Sequence, residues 1–461
     1  MKNKFYFSFF IIISLLSIIN SHKNVKKKKS NITKNIKLKE EIPSIWEWAK
    51  KNNIYINGNL TLNKNTDSDS FHNFFYFTAN TSIENNTVLL KVPYDIMISQ
   101  NSLYNHFKEK KNKQWQIIFN EIDNNKNEFI AHYITKQILY ISIVIENAIN
   151  KKKGSIYNKY KPYFDMYDYI NMDNFPIFYE DDEIYFLSPS GFGNELTKAI
   201  ESLREESYII NNDLKVTTSM PDTFLKYRVL SMANSINFNN TNLNYDYNET
   251  AVVPFIDCFK KVISNRYATA KYSIEKDKNN KYYLEIKTIK KIDKDQEINL
   301  KWLKMSNQDS LLYYGFVERG NEVVPNFYVN VFNNLFRKDL GIDPDKNYDD
   351  IAKRDLYELN SEFLRKDVVY SYRNISLLLD KYKNKKEGRY EMMVDNLNYY
   401  VRIYDEQFTE GNINLYIRGN YKRRAIKELM KFEKKMLEKK IEYLETLIND
   451  IKEKKYSFED L

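Results

Sequence analysis

Beyond its first forty residues the chain divides into four blocks by the spacing of its apolar positions. From Ile42 to about Ser102 these come in short runs rich in β-branched and aromatic residues. The clearest run, Thr87-Val88-Leu89-Leu90-Lys91-Val92-Pro93, reads as a strand that Pro93 ends. From about Leu103 to Tyr227 the spacing is helical, interrupted by Phe175-Pro176-Ile177-Phe178-Tyr179, which reads as extended. A second strand-rich block runs from about Val252 to Val329 and holds two half-buried strand patterns, Tyr282–Ile286 and Glu297–Trp302. After Gly341 the pattern is almost entirely helical. Its last segment, over 423–455, sets Met430, Leu437, Ile441, Leu444, Ile448 and Ile451 on one stripe that packs against a neighbouring helix. This order predicts an α+β protein: a β-rich domain split by a helical insert, then an all-α domain.

Composition narrows the chemistry. The chain has 461 residues, 43% of them hydrophobic and 15% aromatic, which suits two or three domains with a real core. A single cysteine, Cys258, excludes a disulfide framework and a cysteine zinc site, and four histidines argue against a histidine metal centre. The formal charge of +9 invites a nucleic-acid or anionic-membrane reading. Residues 1–39, however, carry ten of the lysines and no acid, which leaves −1 on the rest of the chain. No nucleic-acid partner is expected for so nearly neutral a body. With 58 lysines, 13 arginines and 57 asparagines, the bias itself looks like that of an AT-rich protist genome.

The basic stretch reads as an address. Lys2 and Lys4 precede an apolar run from Phe5 to Ile19, the pattern of a signal peptide over 1–21, too short to span a bilayer. The tract His22 to Lys39 holds eight lysines, and with the residues to 41 forms a basic leader. The two parts together resemble the bipartite leader of proteins sent to the apicomplexan plastid. The same composition also describes a solvated basic tail on a secreted or lumenal protein. No later segment has 18 consecutive apolar residues, and Ile138–Ile145 reads as a buried helix, so no membrane association is expected of the mature chain.

Several motifs together resemble the SET-domain protein-lysine methyltransferases of the Rubisco large-subunit methyltransferase type. Trp46-Glu47-Trp48-Ala49 is similar to the family's opening aromatic helix, and Leu89-Leu90-Lys91-Val92-Pro93 to a family strand. Pro176–Tyr179 followed by Glu183–Leu187 is similar to a segment of its helical insert. The most specific stretch is Asp295-Gln296-Glu297-Ile298, Ser306-Asn307 and Leu311-Leu312-Tyr313-Tyr314-Gly315-Phe316-Val317. Arg424–Ile426 and Glu433–Leu437 resemble the closing helix. The resemblance implies a SET domain over 42–325 with an insert at about 103–227, and a helical substrate-binding-like domain over 326–461. It also implies S-adenosylmethionine as cofactor and lysine N-methylation as activity.

The positions that carry this chemistry depart from the family. Its Gly-x-Gly cofactor turn falls on Phe74-Phe75-Tyr76, and its Ser-Arg pair on Ser235-Ile236. The Asn-His pair that lines the cofactor pocket falls on Lys260-Lys261, although Pro254 and Asp257 just upstream are kept. Two ammonium groups there would repel a sulfonium cation. The catalytic tyrosine position is Trp302, whose indole offers an N–H and no hydroxyl. No catalytic residue is therefore intact. The expectation is a degenerate SET domain that binds no cofactor, with Phe74, Tyr76 and Trp302 filling the vacated volume, each burial contributing on the order of 2 kcal/mol. Such a chain would act as a protein-binding scaffold through its C-terminal helices. The alternative is an active methyltransferase in which Tyr313 or Tyr314 supplies the missing hydroxyl.

Other signals are weaker. Ser190-Gly191-Phe192-Gly193 lacks the rest of any phosphate-binding motif and reads as a loop. Glu180-Asp181-Asp182-Glu183 reads as a solvated acidic turn. His72, His106 and His132 have no nucleophile motif near them.

Overall fold

In a computed structural model of the chain, the residues described are 44–64, 75–124, 133–167, 170, 172–213, 221–238, 249–278, 281–321, 327–330, 356–359 and 388–453. The leader, Phe74, His72 and His132 lie outside them. Residues 44–48 belong to a separate compact unit and are helical, as expected for the segment around Trp46. Among the described residues, the second unit, from Ala49 onward, holds every strand and the remaining helices.

Its strands are β1 (Tyr55–Ile56), β2 (Leu60–Lys64), β3 (Phe75–Ala79), β4 (Val88–Pro93), β5 (Ile98–Ser99), β6 (Ser235–Phe238), β7 (Glu249–Val252), β8 (Lys260–Val262), β9 (Ala270–Lys276), β10 (Tyr282–Thr288), β11 (Asn299–Lys301), β12 (Phe327–Asn330) and β13 (Leu356–Leu359). Six form one sheet in the order β1-β4-β10-β9-β11-β8, antiparallel except where β11 runs parallel to β8 and β9. Pairs β2-β3 and β12-β13 and the triplet β5-β7-β6 are separate small sheets. The apolar run over 87–93 forms β4 as expected, with Leu89, Leu90 and Val92 fully buried.

Between β5 and β6 the chain makes helices α1 (Gln100–Glu109), α2 (Lys113–Asn124), α3 (Tyr133–Lys151), α4 (Ser155–Tyr167), α5 (Asp181–Leu187), α6 (Gly191–Tyr208) and α7 (Pro221–Ala233). Because β5 and β6 both pair with β7, this insert leaves and re-enters the β core at one place. Helix α3 is buried on every side from Ile138 to Ile149, which explains why its apolar residues follow no one-sided stripe, and the buried polar residues among them, Ser142, Glu146 and Asn147, are all hydrogen-bonded. Among the described residues no helix is long and apolar enough to cross a membrane. After the β core come α8 (Asn307–Tyr314), α9 (Gly388–Gln407), α10 (Glu410–Tyr416) and α11 (Asn420–Lys452). The α11 stripe packs on α9, with Met430, Leu437, Leu444 and Ile448 buried.

Four local expectations change. Pro176–Phe178 is a turn of 3-10 helix rather than an extended stretch, because Pro176 fixes φ at its first position. The region after Gly341 includes a strand, β13, which pairs with β12. Gly191-Phe192-Gly193 opens helix α6 and is not a loop. Ser190 caps it by accepting from the Gly193 amide at 2.9 Å, and a Cβ on Gly193 would lie 1.9 Å from the Leu187 carbonyl oxygen. Finally, Glu183 is not solvated. It is completely buried, it accepts from the Glu180 amide to box the start of α5, and it pairs with Lys422 of α11 at 2.9 Å.

A second buried carboxylate ties the insert to the C-terminal helices. Glu433 of α11 accepts from the Phe192 amide at 3.0 Å, from Gln308 Nε2 at 2.6 Å and from the Tyr404 hydroxyl. It thus supplies a negative group to the exposed amides at the start of α6. Burial raises its pKa from 4.5 to about 7, against the pull of these donors. Between those values the folded chain holds a proton that the unfolded chain has released, so this group costs stability as pH rises. Urea midpoints are expected to fall across that window, and Glu433→Gln is expected to make the fall shallower by the equivalent of roughly 3 kcal/mol, the rest of the slope remaining from Asp257 and Glu206, whose pKa values burial also raises.

Candidate functional site

Strand β3 alternates, with Phe75, Phe77 and Ala79 buried and Tyr76 and Thr78 half-buried on the other face. The Phe77 ring sits 5.1 Å from that of Phe259 and 6.4 Å from that of Phe255. Phe255 itself is fully buried at φ +69°, a conformation a bulky side chain rarely adopts, and it leads into the 3-10 turn Ile256–Cys258. That turn feeds β8, where the two lysines diverge because neighbouring strand residues point to opposite faces. Lys260 is half-buried and pairs with Glu297 at 3.2 Å. Lys261 turns inward, with 7% of its surface exposed.

Lys261 is the centre of the arrangement. Its Nζ donates to the Ala233 carbonyl at 2.7 Å and to Asn234 Oδ1 at 3.0 Å. It also lies 4.8 Å from the centroid of the Trp302 ring and 5.7 Å from that of Tyr314. Two carbonyl oxygens and two aromatic faces are what a buried ammonium requires. Burial lowers the Lys261 pKa, and Asp257, also buried, opposes that shift by its charge. Asp257 has its own pKa raised by burial and stands within reach of the Tyr163 hydroxyl at 3.5 Å.

Trp302 follows β11 and is held in place by its amide, which donates to the Val262 carbonyl at 2.8 Å. Its ring meets Tyr314 edge-on at 5.8 Å and Tyr272 at 5.8 Å. Tyr313 and Tyr314 end helix α8, which stops at Gly315 in the left-handed conformation, φ +75°. The start of α8 is fixed by Asn307, which bonds both the amide and the carbonyl of Glu318 at 3.1 Å. Glu318 in turn accepts from the amides of Ile263 and Ser264 just after β8. Tyr314 is thereby held against Lys261 by backbone bonds as well as by packing.

The cavity beside these residues is small. It measures about 20 Å³ and is lined by Tyr76, Phe175, Asp257, Lys260, Lys261 and Tyr314 among others. That is room for about one water, where organic cofactors occupy pockets of roughly 300–1,000 Å³. The buried Lys261 ammonium is one of the groups that line this cavity. Tyr76 lines the space, Trp302 backs Lys261 from behind, and Phe74 is outside the described residues. Ile236 lines neither cavity, being buried between the insert and β7 opposite Ala251. A separate cavity of about 370 Å³ opens on the other side of Tyr314, bordered by Ser235, Arg228 and Tyr313.

Sequence reasoning missed three contributors. Ala233 and Asn234 precede the Ser235-Ile236 pair and supply both oxygens to Lys261, but a carbonyl acceptor leaves no mark in a sequence. Arg228 was detectable as the only charged residue between Lys226 and Phe238 in an otherwise apolar and polar-neutral run. Among the described residues no cluster of histidine, cysteine, aspartate or glutamate could hold a metal ion.

No protein-family model and no curated protein matches the sequence. Solved structures do. The SET domain of LSMT bound to lysine and AdoHcy is 12% identical with a TM-score of 0.58, over 90% of this chain and 92% of that one. Rubisco LSMT bound to AdoMet is 14% identical with a TM-score of 0.53, over 89% of this chain and 92% of that one. The chain thus has the α+β fold of a SET-domain, lysine-methyltransferase-like protein, with a helical C-terminal region.

In this fold Lys261 gives up its proton at lower pH in the folded than in the unfolded state, where its value is that of an ordinary lysine, 10.5. The unfolded chain then binds more protons below 10.5, so the wild type is expected to gain stability on going from about pH 7 to about pH 10. Lys261→Met is expected to lose part of that gain, the remainder coming from Lys440, whose pKa burial also lowers, as read from urea midpoints at the two pH values.

Proposed function

We propose that this SET-fold chain is a protein-binding scaffold that has given up S-adenosylmethionine and methyl transfer. The observation that carries the reading is the Lys261 ammonium. It is buried between Trp302 and Tyr314, bonded to Ala233 and Asn234, and leaves a cavity of about 20 Å³ where a cofactor would need hundreds. Trp302 at the catalytic position supports it, because an indole cannot supply a hydroxyl to the transfer. Tyr314, the candidate substitute, already faces Lys261 and Trp302. Tyr313 is more than a third exposed and borders the other cavity. The alternative reading, an active protein-lysine methyltransferase, draws on the solved neighbours, which are bound to AdoMet or AdoHcy.

Calorimetric titration of the full chain with S-adenosylmethionine separates the two. No heat of binding is expected up to millimolar cofactor. Micromolar binding with a stoichiometry near one would defeat the scaffold reading and favour the enzyme.

The partner we assign is a protein, met by the C-terminal helices. Helix α10 supports this, because it presents Leu415 with 73% of its surface exposed beside the half-exposed Tyr416. The location we assign is a plastid of the apicomplexan type, on the strength of the leader. A full-length fusion to a promiscuous biotin ligase tests both together. Labelled proteins from the plastid stroma, reduced in the Leu415→Glu variant, are the expected result. Labelling confined to the secretory lumen would place the chain there, and unchanged labelling by the variant would remove α10 from the interface.

A further inference from the structure

The helical insert carries a basic tip that the net charge of the chain hides. Lys108 and Lys110 close helix α1, Lys111 follows, and Lys113 opens α2. Lys151 ends α3, and Lys152 and Lys153 come after it. These two turns lie side by side, because His106 Nε2 on α1 is 2.7 Å from the hydroxyl of Ser155, which opens α4. Lys159 of α4 joins them, donating to the Asp95 carbonyl at 2.9 Å. Segments 106–113 and 151–159 hold eight lysines and one acid, Glu109, a charge of +7 on a chain that carries −1 beyond residue 39. The carboxylates of Glu109 and Asp95 both act on Lys159.

The fold does not use these charges up. Lys108, Lys110, Lys111, Lys113 and Lys153 are exposed and form no ion pair among the described residues. The field they make shows in His106, whose pKa is lowered by burial first and then by Lys159 and Lys110. A helix C-terminus favours a cation in its last turn, which does not account for three lysines at each of two ends. Backbone conformation points the same way. Lys111 at φ +52° and Lys152 at φ +46° occupy the left-handed region, which asparagine and aspartate tolerate better. At three other turns the chain puts Asn53, Asn86 and Asp295 there, yet both positions at this tip are lysine in a sequence holding 57 asparagines.

We propose that this tip binds the surface of an anionic lipid bilayer, with the lysines over the headgroups and the chain lying on the membrane rather than crossing it. Large apolar side chains flank the lysine turn on both helices. Tyr104, 43% exposed, precedes Lys108 by one helical turn, and Ile117, 57% exposed, follows Lys113 by one. Lysines beside an exposed aromatic and an exposed aliphatic side chain suit a membrane interface. All the cations are lysine, without the forked guanidinium that serves bidentate recognition of one phosphate or carboxylate, so the match is to a diffuse negative surface. The half-buried Trp115 ring is stacked on Phe107 at 4.8 Å, which covers one of the faces that nucleic-acid bases would need. This surface is independent of whether the chain transfers methyl groups.

The test uses the full chain with an environment-sensitive dye on Asn158→Cys, an exposed and uncharged position of α4. Cys258 is buried and stays unlabelled. A second chain carries the dye on Lys294→Cys, exposed on the turn between β10 and β11, and controls for contacts made through the basic leader. Vesicles of equimolar phosphatidylserine and phosphatidylcholine are expected to shift the emission of the Asn158→Cys dye and not that of the control. Pure phosphatidylcholine is expected to shift neither. The triple variant Lys110→Glu/Lys113→Glu/Lys153→Glu alters only exposed lysines without ion pairs, so its thermal midpoint is expected to stay near that of the wild type. It is expected to need at least about tenfold more anionic lipid for the same shift, since each lysine near a charged membrane adds to binding. No shift at the tip, equal shifts at the two positions, or an unchanged lipid requirement in the triple variant would each overturn the proposal. So would polyglutamate or RNA that abolishes the vesicle response at equal charge, which would assign the tip to an acidic protein or a nucleic acid.

Discussion

Everything distinctive about this molecule turns on one buried ammonium. Moving a lysine head group from water into a protein interior costs several kcal/mol unless it is bonded and faced by compensating charge or dipoles. The chain meets that cost at Lys261 with the Ala233 carbonyl, the Asn234 side chain, two aromatic rings and the nearby Asp257. Those partners come from the end of α7 and the residue after it, from the turn before β8, from the residue after β11 and from α8, segments well apart along the chain. A single side chain thus fixes how the insert, the strand after the main sheet and the helix beyond it come together. Removing the cation would leave Asp257 buried without its counterweight.

The same logic recurs where the C-terminal helices meet the insert. Glu183 on α5 and Glu433 on α11 are both completely buried, and each is satisfied by groups from the other segment. Glu183 receives Lys422 and the Arg418 amide, and Glu433 receives the first amides of α6 and the Tyr404 hydroxyl. Buried polar groups of this kind specify orientation, because a shift of one helix turn would leave a carboxylate without donors. Apolar stripes alone, such as that between α9 and α11, tolerate sliding far better. The helical region after β13 is therefore held in register by charge and held together by packing.

How much of this was legible in the sequence differs by kind of signal. Periodicity found β4, β10, the buried helix α3 and the α11 stripe, because each is set by burial of its own residues. It misread Phe175–Tyr179, where a proline imposed a 3-10 turn on an apolar run, and it passed over β13, whose pairing is with a strand 26 residues earlier. The acidic run at Glu180 and the glycines at 191 and 193 looked like surface features. Their roles depend on Lys422 and Glu433, more than 200 residues away, and composition cannot reveal such a partner. At the site, the residue types were legible and their geometry was not. Lys260 and Lys261 look equivalent in sequence, yet strand alternation sends one to Glu297 at the surface and the other to the core.

Lys261, on this view, occupies the space and the electrostatic role that a bound cation would take. Crystals of the full chain soaked in millimolar S-adenosylmethionine test that directly. Lys261 Nζ is expected within hydrogen-bond distance of the Ala233 carbonyl, with Trp302 and Tyr314 closed around it and no cofactor density beside Tyr76. Cofactor density there, with Lys261 swung out of its aromatic contacts, would contradict it.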